Sequence, residues 1–351
     1  MRIGILTGGG DAPGLNAVIH AVAHALLQQD GIELLGIEDG FLGLIERRTR
    51  PLDWQAVSGI ATLGGTVLGT SNQVSPVSYQ GRDRRDDVLN YARAIGLDGV
   101  VAIGGDGTMF IADALNRHGL PMIGAPKTID NDIAHVERSV GFDTAVATVT
   151  EAIDRIRSTA QSHSRVMLVE TMGRNAGWLA LEAGVAAGAD IILLPEIEYE
   201  LDAIAAACRA CMARQRHAIV CVAEGAKPRG GQATVRTRIE SSPDPIRLGG
   251  VAHVLTAQLT PLLAAEVRAT ILGHVQRGGA PTPGDRVLGA QLGVAAADLV
   301  RAGAWGNMVA LEQGSLGHVA LGEVSGRTRH VPADHPLIHA ARRLGVSFGD
   351  A

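Results

Sequence analysis

The sequence predicts an α/β fold built mainly on parallel sheets. Short, nearly continuous apolar runs alternate along the chain with segments that have the length and pattern of helices. Glycine is frequent, at 45 of 351 residues, and such folds use glycine in tight turns and where backbone approaches bound phosphate closely. Strands that are apolar throughout indicate sheets that are buried on both faces.

The elements follow one another in the order strand, polar loop, helix. The run 2–7 leads into a glycine-rich loop and the helical pattern 17–29, and the run 98–105 leads into the helical pattern 106–119. Further apolar strands of this kind lie at 120–126, 165–173, 189–196, 217–226 and 268–279. Open α/β sheets bind ligands beyond the carboxyl ends of their strands, so the chemistry should lie on the loops that follow these runs.

Length and composition limit the classes of protein. A chain of 351 residues predicts two domains. The net charge of −5 provides no basic field for nucleic acid. No run of about 18 apolar residues predicts a membrane span, and the N-terminal residues lack the pattern of a signal peptide. We therefore expect a cytoplasmic protein with neither a nucleic-acid nor a membrane partner.

The three cysteines support the same compartment. An odd, low number argues against a disulfide framework and for a reducing environment. Cys208 and Cys211 form a C-x-x-C pair, but they lie in an alanine-rich helical pattern without a second cluster at zinc spacing, so we expect no structural metal. The segment 227–245 is predicted to be a flexible surface loop.

The first candidate loop, residues 6–16, has three consecutive glycines between a strand and a helix. Bare backbone amides and a helix N-terminus suit a bound anion. The loop matches neither G-x-G-x-x-G nor a Walker A motif, so a tight strand–helix turn explains it equally well.

The second candidate loop is GGDGT, residues 104–108, after an apolar strand. The carboxylate of Asp106 stands among bare glycines, an arrangement that suits Mg²⁺ held between protein and phosphate. Asp-Gly is also a common turn, and several kinds of kinase share the motif, so it indicates phosphoryl transfer without naming an acceptor.

The third candidate loop is PKTIDND, residues 126–132. Lys127, one of only two lysines in the chain, precedes Asp130 by three residues and Asp132 by five. A bend in this segment would let one carboxylate face a metal and the other a hydroxyl acceptor, the division that phosphoryl transfer requires. An Asx turn is the alternative explanation.

Two further stretches, 162–177 and 267–279, place cations near strand ends: Arg165, Arg174, Arg268, His274 and Arg277. Arginine forks suit the phosphate of a sugar phosphate. Solvated surface charges are the alternative.

Together these loops closely resemble the phosphofructokinase family over about residues 2–310. The matching stretches, in family order, are 4–19 (GILTGGGDAPGLNAVI), 64–72 (GGTVLGTSN), 102–109 (AIGGDGTM), 126–133 (PKTIDNDI), 169–181 (VETMGRNAGWLAL), 223–226 (AEGA) and 269–286 (ATILGHVQRGGAPTPGDR). The resemblance implies two Rossmann-like three-layer domains with mainly parallel sheets. The larger, phosphate-donor domain is expected at 1–141 plus about 276–322, and the smaller, sugar-phosphate domain at 142–275 plus about 323–351.

The resemblance also implies roles at the reacting centre. Asp130 matches the base that takes the proton from the 1-hydroxyl of fructose 6-phosphate, and Thr128 matches a contact of the transferred phosphoryl. Asp106 and Asp132 match residues that organise Mg²⁺. Arg174 is expected to act in catalysis by offsetting the charge on the phosphoryl group, together with Lys127.

Two larger sets complete the implied site. The donor site consists of Gly9, Phe41 (near the adenine), Asn72, Gly105, Asp106, Gly107, Thr108 and Lys127. The sugar-phosphate site consists of Thr128, Asp130, Arg165, Met172, Gly173, Arg174, Glu224, Arg268, His274 and Arg277. In the family, the residues that match Arg165 and Arg268 come from a neighbouring subunit, which implies a homodimer or a homotetramer.

Three positions bear on the phosphoryl donor. Gly107 leaves room for ATP where pyrophosphate-using relatives commonly have an aspartate. Lys127 instead resembles the pyrophosphate users, and Asn72 stands where many ATP-dependent members have an arginine. An aspartate at 107 would exclude ATP by both size and charge, whereas a lysine attracts any phosphate. We therefore expect ATP with Mg²⁺, and pyrophosphate is the alternative.

Other classes explain less of the sequence. An NAD or lipid kinase shares GGDGT but leaves TIDND and the arginine and histidine positions unexplained. A Rossmann oxidoreductase predicts G-x-G-x-x-G and an acidic residue about 20 positions further on. A non-catalytic regulatory paralogue would have lost Asp130 or Asp132, and both are present.

Overall fold

The structure is a computed structural model that describes residues 1–238 and 246–350. It consists of two compact units, each formed from two segments of the chain. Unit 1 comprises Met1–Thr144 and Arg277–Arg329, and unit 2 comprises Ala145–Gln276 and His330–Ala351.

The strands are short, as expected for α/β sheets. They are β1 (Arg2–Thr7), β2 (Glu33–Ile37), β3 (Thr49–Pro51), β4 (Gly99–Gly104), β5 (Met122–Pro126), β6 (Val166–Thr171), β7 (Ile191–Leu193), β8 (Ala218–Ala223), β9 (Val235–Arg238), β10 (Ile246–Leu248), β11 (Val267–Ile271), β12 (Asn307–Glu312) and β13 (Ser315–Ala320).

The helices alternate with these strands over most of the chain. They are α1 (Leu15–Leu27), α2 (Phe41–Glu46), α3 (Arg85–Ala94), α4 (Asp106–Arg117), α5 (Phe142–His163), α6 (Trp178–Ala186), α7 (Leu201–Gln215), α8 (Val251–Leu259), α9 (Pro283–Arg301), α10 (Leu321–Val324) and α11 (Pro336–Arg343). Within the described ranges, no helix has both the length and the apolar character that a membrane crossing requires.

Unit 1 is built on a seven-stranded sheet in the order β13-β12-β5-β4-β1-β2-β3. Its central strands are parallel, and the two edge strands β3 and β13 are antiparallel to their neighbours. Successive side chains of β4 alternate between two apolar cores: Val101 and Ile103 pack in one, and Val100 and Ala102 pack in the other. The sheet is therefore buried on both faces, which confirms the predicted three-layer α/β architecture.

Unit 2 is built on four parallel strands in the order β11-β6-β8-β7. Helices α7 and α8 contribute to the apolar core on one face. On the other face Gly184 of α6 lies against Ile192, where an added Cβ would come within 2.8 Å of that side chain. The segment 227–245, predicted to be a loop, contains strand β9, which pairs antiparallel with β10. Residues 239–245 of that segment lie outside the described residues.

Parallel strands bring the predicted chemistry of unit 1 to one edge of its sheet. Strands β1, β4 and β5 run in the same direction, with Thr7 paired to Ile103 and Gly104 paired to Pro126. Their carboxyl ends are therefore adjacent. The loops that begin at Gly8, Gly105 and Lys127 gather there, as the sequence predicts.

Helices α1 and α9 pack closely because α9 presents glycine to α1. A Cβ added at Gly289 would lie 3.0 Å from the Cβ of Ala17. One at Gly293, a turn later, would lie 2.5 Å from the Cβ of Ala21 and 2.9 Å from the carbonyl oxygen of Val18. Backbone cannot yield as a flexible side chain can, so this contact requires glycine at 293.

We expect Gly293→Ala to lower the free energy of unfolding by about 1–3 kcal/mol through overpacking, although alanine favours a helix by about 1 kcal/mol. Urea unfolding measures the change. The control is Gly322→Ala in α10, where the nearest atom to an added Cβ is Asp113 Oδ1 at 3.7 Å. A Gly293→Ala protein as stable as the wild type and the control would contradict this account of the packing.

Candidate active site

The glycine-rich loop after β1 lies directly against the loop after β4. The backbone amide of Gly8 donates to the carbonyl oxygen of Ile103 at 2.9 Å. A Cβ at Gly8 would come 2.6 Å from Thr108 Oγ1, and Thr108 is only 3% exposed. The close approach of the two loops therefore requires glycine at position 8 and a small buried hydroxyl at position 108.

Gly9 brings the exposed Asn72 to the same edge. Gly9 has a φ of +78°, and its amide donates to the carbonyl oxygen of Ser71 at 3.1 Å. Thr70 adds a hydrogen bond from its hydroxyl to the carbonyl oxygen of Gly9 at 2.7 Å. Asn72 follows at the surface. The Gly9 N–H is already hydrogen-bonded within the protein, so it is not available to a phosphate. What Gly9 provides is a backbone without a side chain, which a phosphate could approach closely.

Asp106 is the first residue of α4, immediately after Gly105. Burial raises the pKa of Asp106, and a hydrogen bond from the Gly326 amide lowers it; that amide lies 3.2 Å from Oδ1. The next residue, Gly107, is exposed, and a Cβ there would meet no atom within 4 Å. The structure thus has open space beside Asp106, at the position where an aspartate in place of Gly107 would exclude ATP.

The predicted catalytic loop, residues 126–132, continues from β5 and bends at Asn131. Thr128 donates its amide to the carbonyl oxygen of Val140 at 3.2 Å, and its Oγ1 accepts from the Asp130 amide at 3.1 Å. Asn131 has a φ of +53°. Its side chain secures this conformation by accepting from the Ser139 amide at 2.9 Å and donating to the Glu137 carbonyl oxygen at 3.1 Å.

The bend places two carboxylates in environments that favour the protonated form. Burial raises the pKa of Asp130, while Arg277 and Lys127 lower it. Among the described residues, Asp130 Oδ1 is buried without a hydrogen-bond partner. Burial and, to a smaller extent, the negative charge of Asp130 together raise the pKa of Asp132 to about 7. A carboxylate with a raised pKa is a better proton acceptor, as a general base requires.

Lys127 joins the catalytic loop to the glycine-rich loop. It is only 2% exposed, and its Nζ donates to the carbonyl oxygens of Gly8, at 3.2 Å, and Gly10. Burial lowers its pKa to about 7, with Arg277 in the same direction and Asp11 and Asp130 opposing. An ammonium group has three donors, and Lys127 uses two of them to join the loops. This tethering role is additional to the phosphate role that the sequence predicts.

Arg277 is the second cation beside this loop in unit 1. Its Nη1 donates to the carbonyl oxygen of Asp11 at 2.9 Å. A Cβ at Gly10 would lie 2.6 Å from the same nitrogen. Arg277, which the resemblance assigns to the sugar phosphate, therefore lies against the glycine-rich loop of its own unit.

The residues of unit 1 fit a bound Mg²⁺. Asp106 and Asp132 are carboxylates whose pKa values burial raises, and the charge of Asp106 also raises that of Asp132. Across residues 1–238 and 246–350, no group of three or more His, Cys, Asp or Glu is arranged to enclose a metal ion. Mg²⁺ commonly uses one or two carboxylates, and phosphate oxygens and waters complete its coordination. Asp106 and Asp132 can provide the two carboxylates.

In unit 2, five predicted residues follow the carboxyl ends of adjacent strands: Met172, Gly173 and Arg174 after β6, Glu224 after β8, and His274 after β11. Hydrogen bonds join their loops. The Gly225 amide donates to the Gly173 carbonyl oxygen at 3.1 Å, and the buried Gln276 accepts from the Met172 amide at 3.2 Å while donating to the Gly273 carbonyl oxygen at 2.9 Å.

Arg165 and Arg268 lie at the opposite end of the same sheet. Arg165 immediately precedes β6, and Arg268 is the second residue of β11. Both pair with the carboxylate of Glu266, and Arg165 holds the pKa of Glu266 below its ordinary value. At ~3.3 Å per residue, the six residues of β6 separate its two ends by about 20 Å. One copy of unit 2 does not bring all the predicted sugar-phosphate residues together.

Phe41 starts α2 and is only 2% exposed. Its ring packs in the core with Leu6, Ile37 and Leu44. It presents almost no free face on which a base could stack, and its contact with adenine stays a prediction.

Sequence reasoning missed Arg329, which contacts the catalytic loop. Its amide donates to the carbonyl oxygen of Asp132 at 2.7 Å, and its guanidinium donates to that of Asn131 at 2.8 Å. No motif signals this role, because the contacts are made to backbone atoms almost 200 positions earlier in the chain.

Taken together, unit 1 brings to the ends of its parallel strands glycine-rich loops, the carboxylates of Asp106, Asp130 and Asp132, and the cations Lys127 and Arg277. Phosphoryl-transfer enzymes use groups of these kinds. The phosphofructokinase family model matches residues 2–300, and the chain belongs to the phosphofructokinase family. The alternatives of an NAD or lipid kinase and of a Rossmann oxidoreductase are therefore set aside.

Relatives match over nearly the whole chain. A Clostridium perfringens (strain 13 / Type A) protein named ATP-dependent 6-phosphofructokinase 2 is 43% identical over 99% of this chain and 98% of its own length. A Streptomyces coelicolor protein named pyrophosphate–fructose 6-phosphate 1-phosphotransferase is 42% identical over 99% of this chain and 100% of its own. The structure of phosphofructokinase from Saccharomyces cerevisiae aligns with a TM-score of 0.80 and 28% identity, covering 92% of this chain and 45% of the yeast chain.

We expect the kcat/KM of phosphoryl transfer to fall on the acid side with an apparent pKa above the ordinary 3.8 of an aspartate, because burial raises the pKa of Asp130 and a base acts only when it is ionised. Raising free Mg²⁺ should move this limb to lower pH, since a bound cation favours the ionised carboxylates. pH–rate profiles at two Mg²⁺ concentrations test this. A limb near pH 4 that ignores Mg²⁺ would contradict it.

Proposed function

We propose that this chain is a 6-phosphofructokinase that transfers the γ-phosphoryl group of ATP, with Mg²⁺, to the 1-hydroxyl of D-fructose 6-phosphate and forms fructose 1,6-bisphosphate, a glycolytic step. The observation that carries the proposal is the bent TIDND loop, with the buried, unpartnered Oδ1 of Asp130 beside the cation Lys127. The family match and the names of the full-length relatives support it.

The residues of unit 1 divide the work of an in-line transfer. Asp130 accepts the proton of the sugar hydroxyl as its oxygen attacks the phosphorus atom. Thr128, whose Oγ1 accepts from the Asp130 amide, lies beside the transferred group. Lys127 and Arg277 offset its developing negative charge, which is the main catalytic need of such a transfer. Asp106 and Asp132 would hold Mg²⁺, which neutralises donor phosphate charge when bound.

Unit 2 supplies the acceptor contacts in this proposal. Met172, Gly173, Arg174, Glu224 and His274 follow the carboxyl ends of three adjacent strands, where an α/β sheet binds ligands.

The site favours ATP over pyrophosphate as the donor. Relatives named for either donor are similar in identity, at 43% and 42%, so overall identity does not separate them. Gly107 leaves open space around its Cα, which a nucleotide needs. Lys127 uses two donors on protein carbonyl oxygens, which explains its presence without pyrophosphate. Asn72 and the Streptomyces relative keep pyrophosphate as the second candidate.

The donor is tested by supplying fructose 6-phosphate and Mg²⁺ with either ATP or pyrophosphate. We expect activity with ATP. We also expect Gly107→Asp to lower kcat/KM for ATP by about 10-fold or more, because the added negative charge repels a donor phosphate, and a tenfold loss corresponds to ~1.4 kcal/mol.

Gly107→Ala is the matched control. Its Cβ meets no atom within 4 Å, so ATP activity should stay near that of the wild type. Activity with pyrophosphate alone would overturn the choice of donor, and no activity with either donor would overturn the acceptor, with sedoheptulose 7-phosphate tried next.

We also propose a homo-oligomer whose sugar-phosphate sites are shared between subunits. By the length of β6, Arg165 lies about 20 Å from the sugar-phosphate residues that follow this strand. Arg268 pairs with Met167, five residues before Met172, and lies about 16 Å from them. Both distances exceed the reach of an arginine side chain. The proposal therefore assigns these two arginines to the site of a neighbouring copy, in a dimer or a tetramer. The three free cysteines, all buried, agree with the proposed cytoplasmic location.

Complementation tests the shared site. Asp130→Ala should lose about 10²–10⁴ in kcat, and the double variant Arg165→Ala/Arg268→Ala should also lose activity. When the two are mixed with subunit exchange, a hybrid has one site with both Asp130 and the partner arginines. A two-fold dimer should then recover about one quarter of wild-type activity.

Each variant exchanged only with itself is the control, and differently tagged subunits show that exchange has occurred. Exchange without recovered activity would contradict the shared site.

A further inference from the structure

The segment Gly326–Arg329, which follows α10 and which we call the clasp, contacts both segments that carry the predicted magnesium carboxylates. At its start, the Gly326 amide donates to Asp106 Oδ1 at 3.2 Å. In its middle, Thr328 forms an isolated antiparallel bridge with Ile133. At its end, the Arg329 amide donates to the carbonyl oxygen of Asp132 at 2.7 Å.

The side chain of Arg329 secures the bend between Asp130 and Asp132. Its Nη2 donates to the carbonyl oxygens of Asn131, at 2.8 Å, and Glu137, at 3.1 Å. The Glu137 oxygen also accepts from the Asn131 side chain, so both side chains close the same turn. Asn131 has a positive φ, a conformation that persists when surrounding contacts enforce it.

The backbone at Gly326 is suited to this connection. Gly326 has a φ of +72°, and a Cβ there would meet no atom within 4 Å. A side chain at position 326 would therefore strain the backbone conformation but would not clash with any neighbouring atom. The strain acts at the point where the clasp contacts Asp106.

We propose that the clasp sets the separation of Asp106 and Asp132, and that Arg329 is the positioning residue for the catalytic loop. The inference rests on the proposed function, in which these two carboxylates hold Mg²⁺. Asp106 lies on α4 and Asp132 on the loop after β5, so their separation depends on what joins the two elements. Mg²⁺ tolerates little departure from octahedral geometry, so a small change in that separation weakens its binding.

The test compares Arg329→Gln and Arg329→Lys with a matched control, Arg327→Gln. Arg327 belongs to the same segment, but its guanidinium pairs with Glu323 at the surface. The first measurement is amide hydrogen exchange of the metal-free protein in peptides that cover residues 128–140. The second is kcat, the KM for fructose 6-phosphate and the half-saturating concentration of Mg²⁺ in the ATP assay.

We expect Arg329→Gln to accelerate exchange in 128–140 and to raise the half-saturating Mg²⁺ concentration or lower kcat by about 10–100-fold, the usual effect of removing a residue that orients metal ligands. The KM for fructose 6-phosphate should change less than about twofold. Arg329→Lys keeps the positive charge but lacks the planar donors of a guanidinium, so its defects should lie between those of the wild type and those of Arg329→Gln. Arg327→Gln should match the wild type.

The proposal is overturned if Arg329→Gln keeps the wild-type exchange and Mg²⁺ requirement, or if Arg327→Gln reproduces its defects. Should Arg329→Gln not fold, Gly326→Ala replaces it: a raised Mg²⁺ requirement supports the clasp, and an unchanged one overturns it. Amide hydrogen exchange in the metal-free protein can be measured whether or not the enzyme is active. A wild type that is inactive with both ATP and pyrophosphate would overturn the proposed function, and the exchange comparison would still decide the structural role of Arg329.

Discussion

The hydrogen bonds from the buried ammonium group of Lys127 to Gly8 and Gly10 hold together the two loops on which the rest of the site depends. A buried charge is costly unless it is paired and hydrogen-bonded. Here backbone carbonyl oxygens supply the hydrogen bonds, and Asp11 and Asp130 supply opposite charge. The glycine-rich loop is thereby fixed to the loop that carries Asp130. Because Lys127 has this structural role, its presence does not by itself indicate whether ATP or pyrophosphate is the phosphoryl donor.

Burial shifts the proton affinities of this site in opposite directions. It raises the pKa of Asp130, raises that of Asp132 to about 7 and lowers that of Lys127 to about 7, so burial opposes the charged form of each group while their mutual attraction favours it. A cation beside the carboxylates and a phosphate beside the lysine oppose this effect of burial, because each favours the charged form. Ligand binding and ionisation are therefore coupled.

The sequence predicts those parts of the site that have a local signal. Apolar runs followed by glycine reveal the strands and their loops, and they correctly predict the parallel sheets. Lys127, Asp130 and Asp132 stand out by residue type and spacing. Arg329 could not be predicted in this way, because it donates to backbone carbonyl oxygens, which every residue has. The burial of Phe41 could not be read from its own neighbourhood either, since it depends on apolar partners on other strands and helices.

The parallel arrangement in unit 2 has a consequence for how the proposed enzyme works. Because β6 and β11 are parallel, residues at the start of these strands and residues after their carboxyl ends lie at opposite ends of the strands. Glu266 pairs with both Arg165 and Arg268 at the amino ends of these strands, so the two arginines are oriented before a ligand binds. In a two-fold contact each copy both gives and receives such a pair. Each acceptor site then depends on its neighbour, and dissociation of the oligomer removes sugar-phosphate contacts without changing Asp130 or the donor loops.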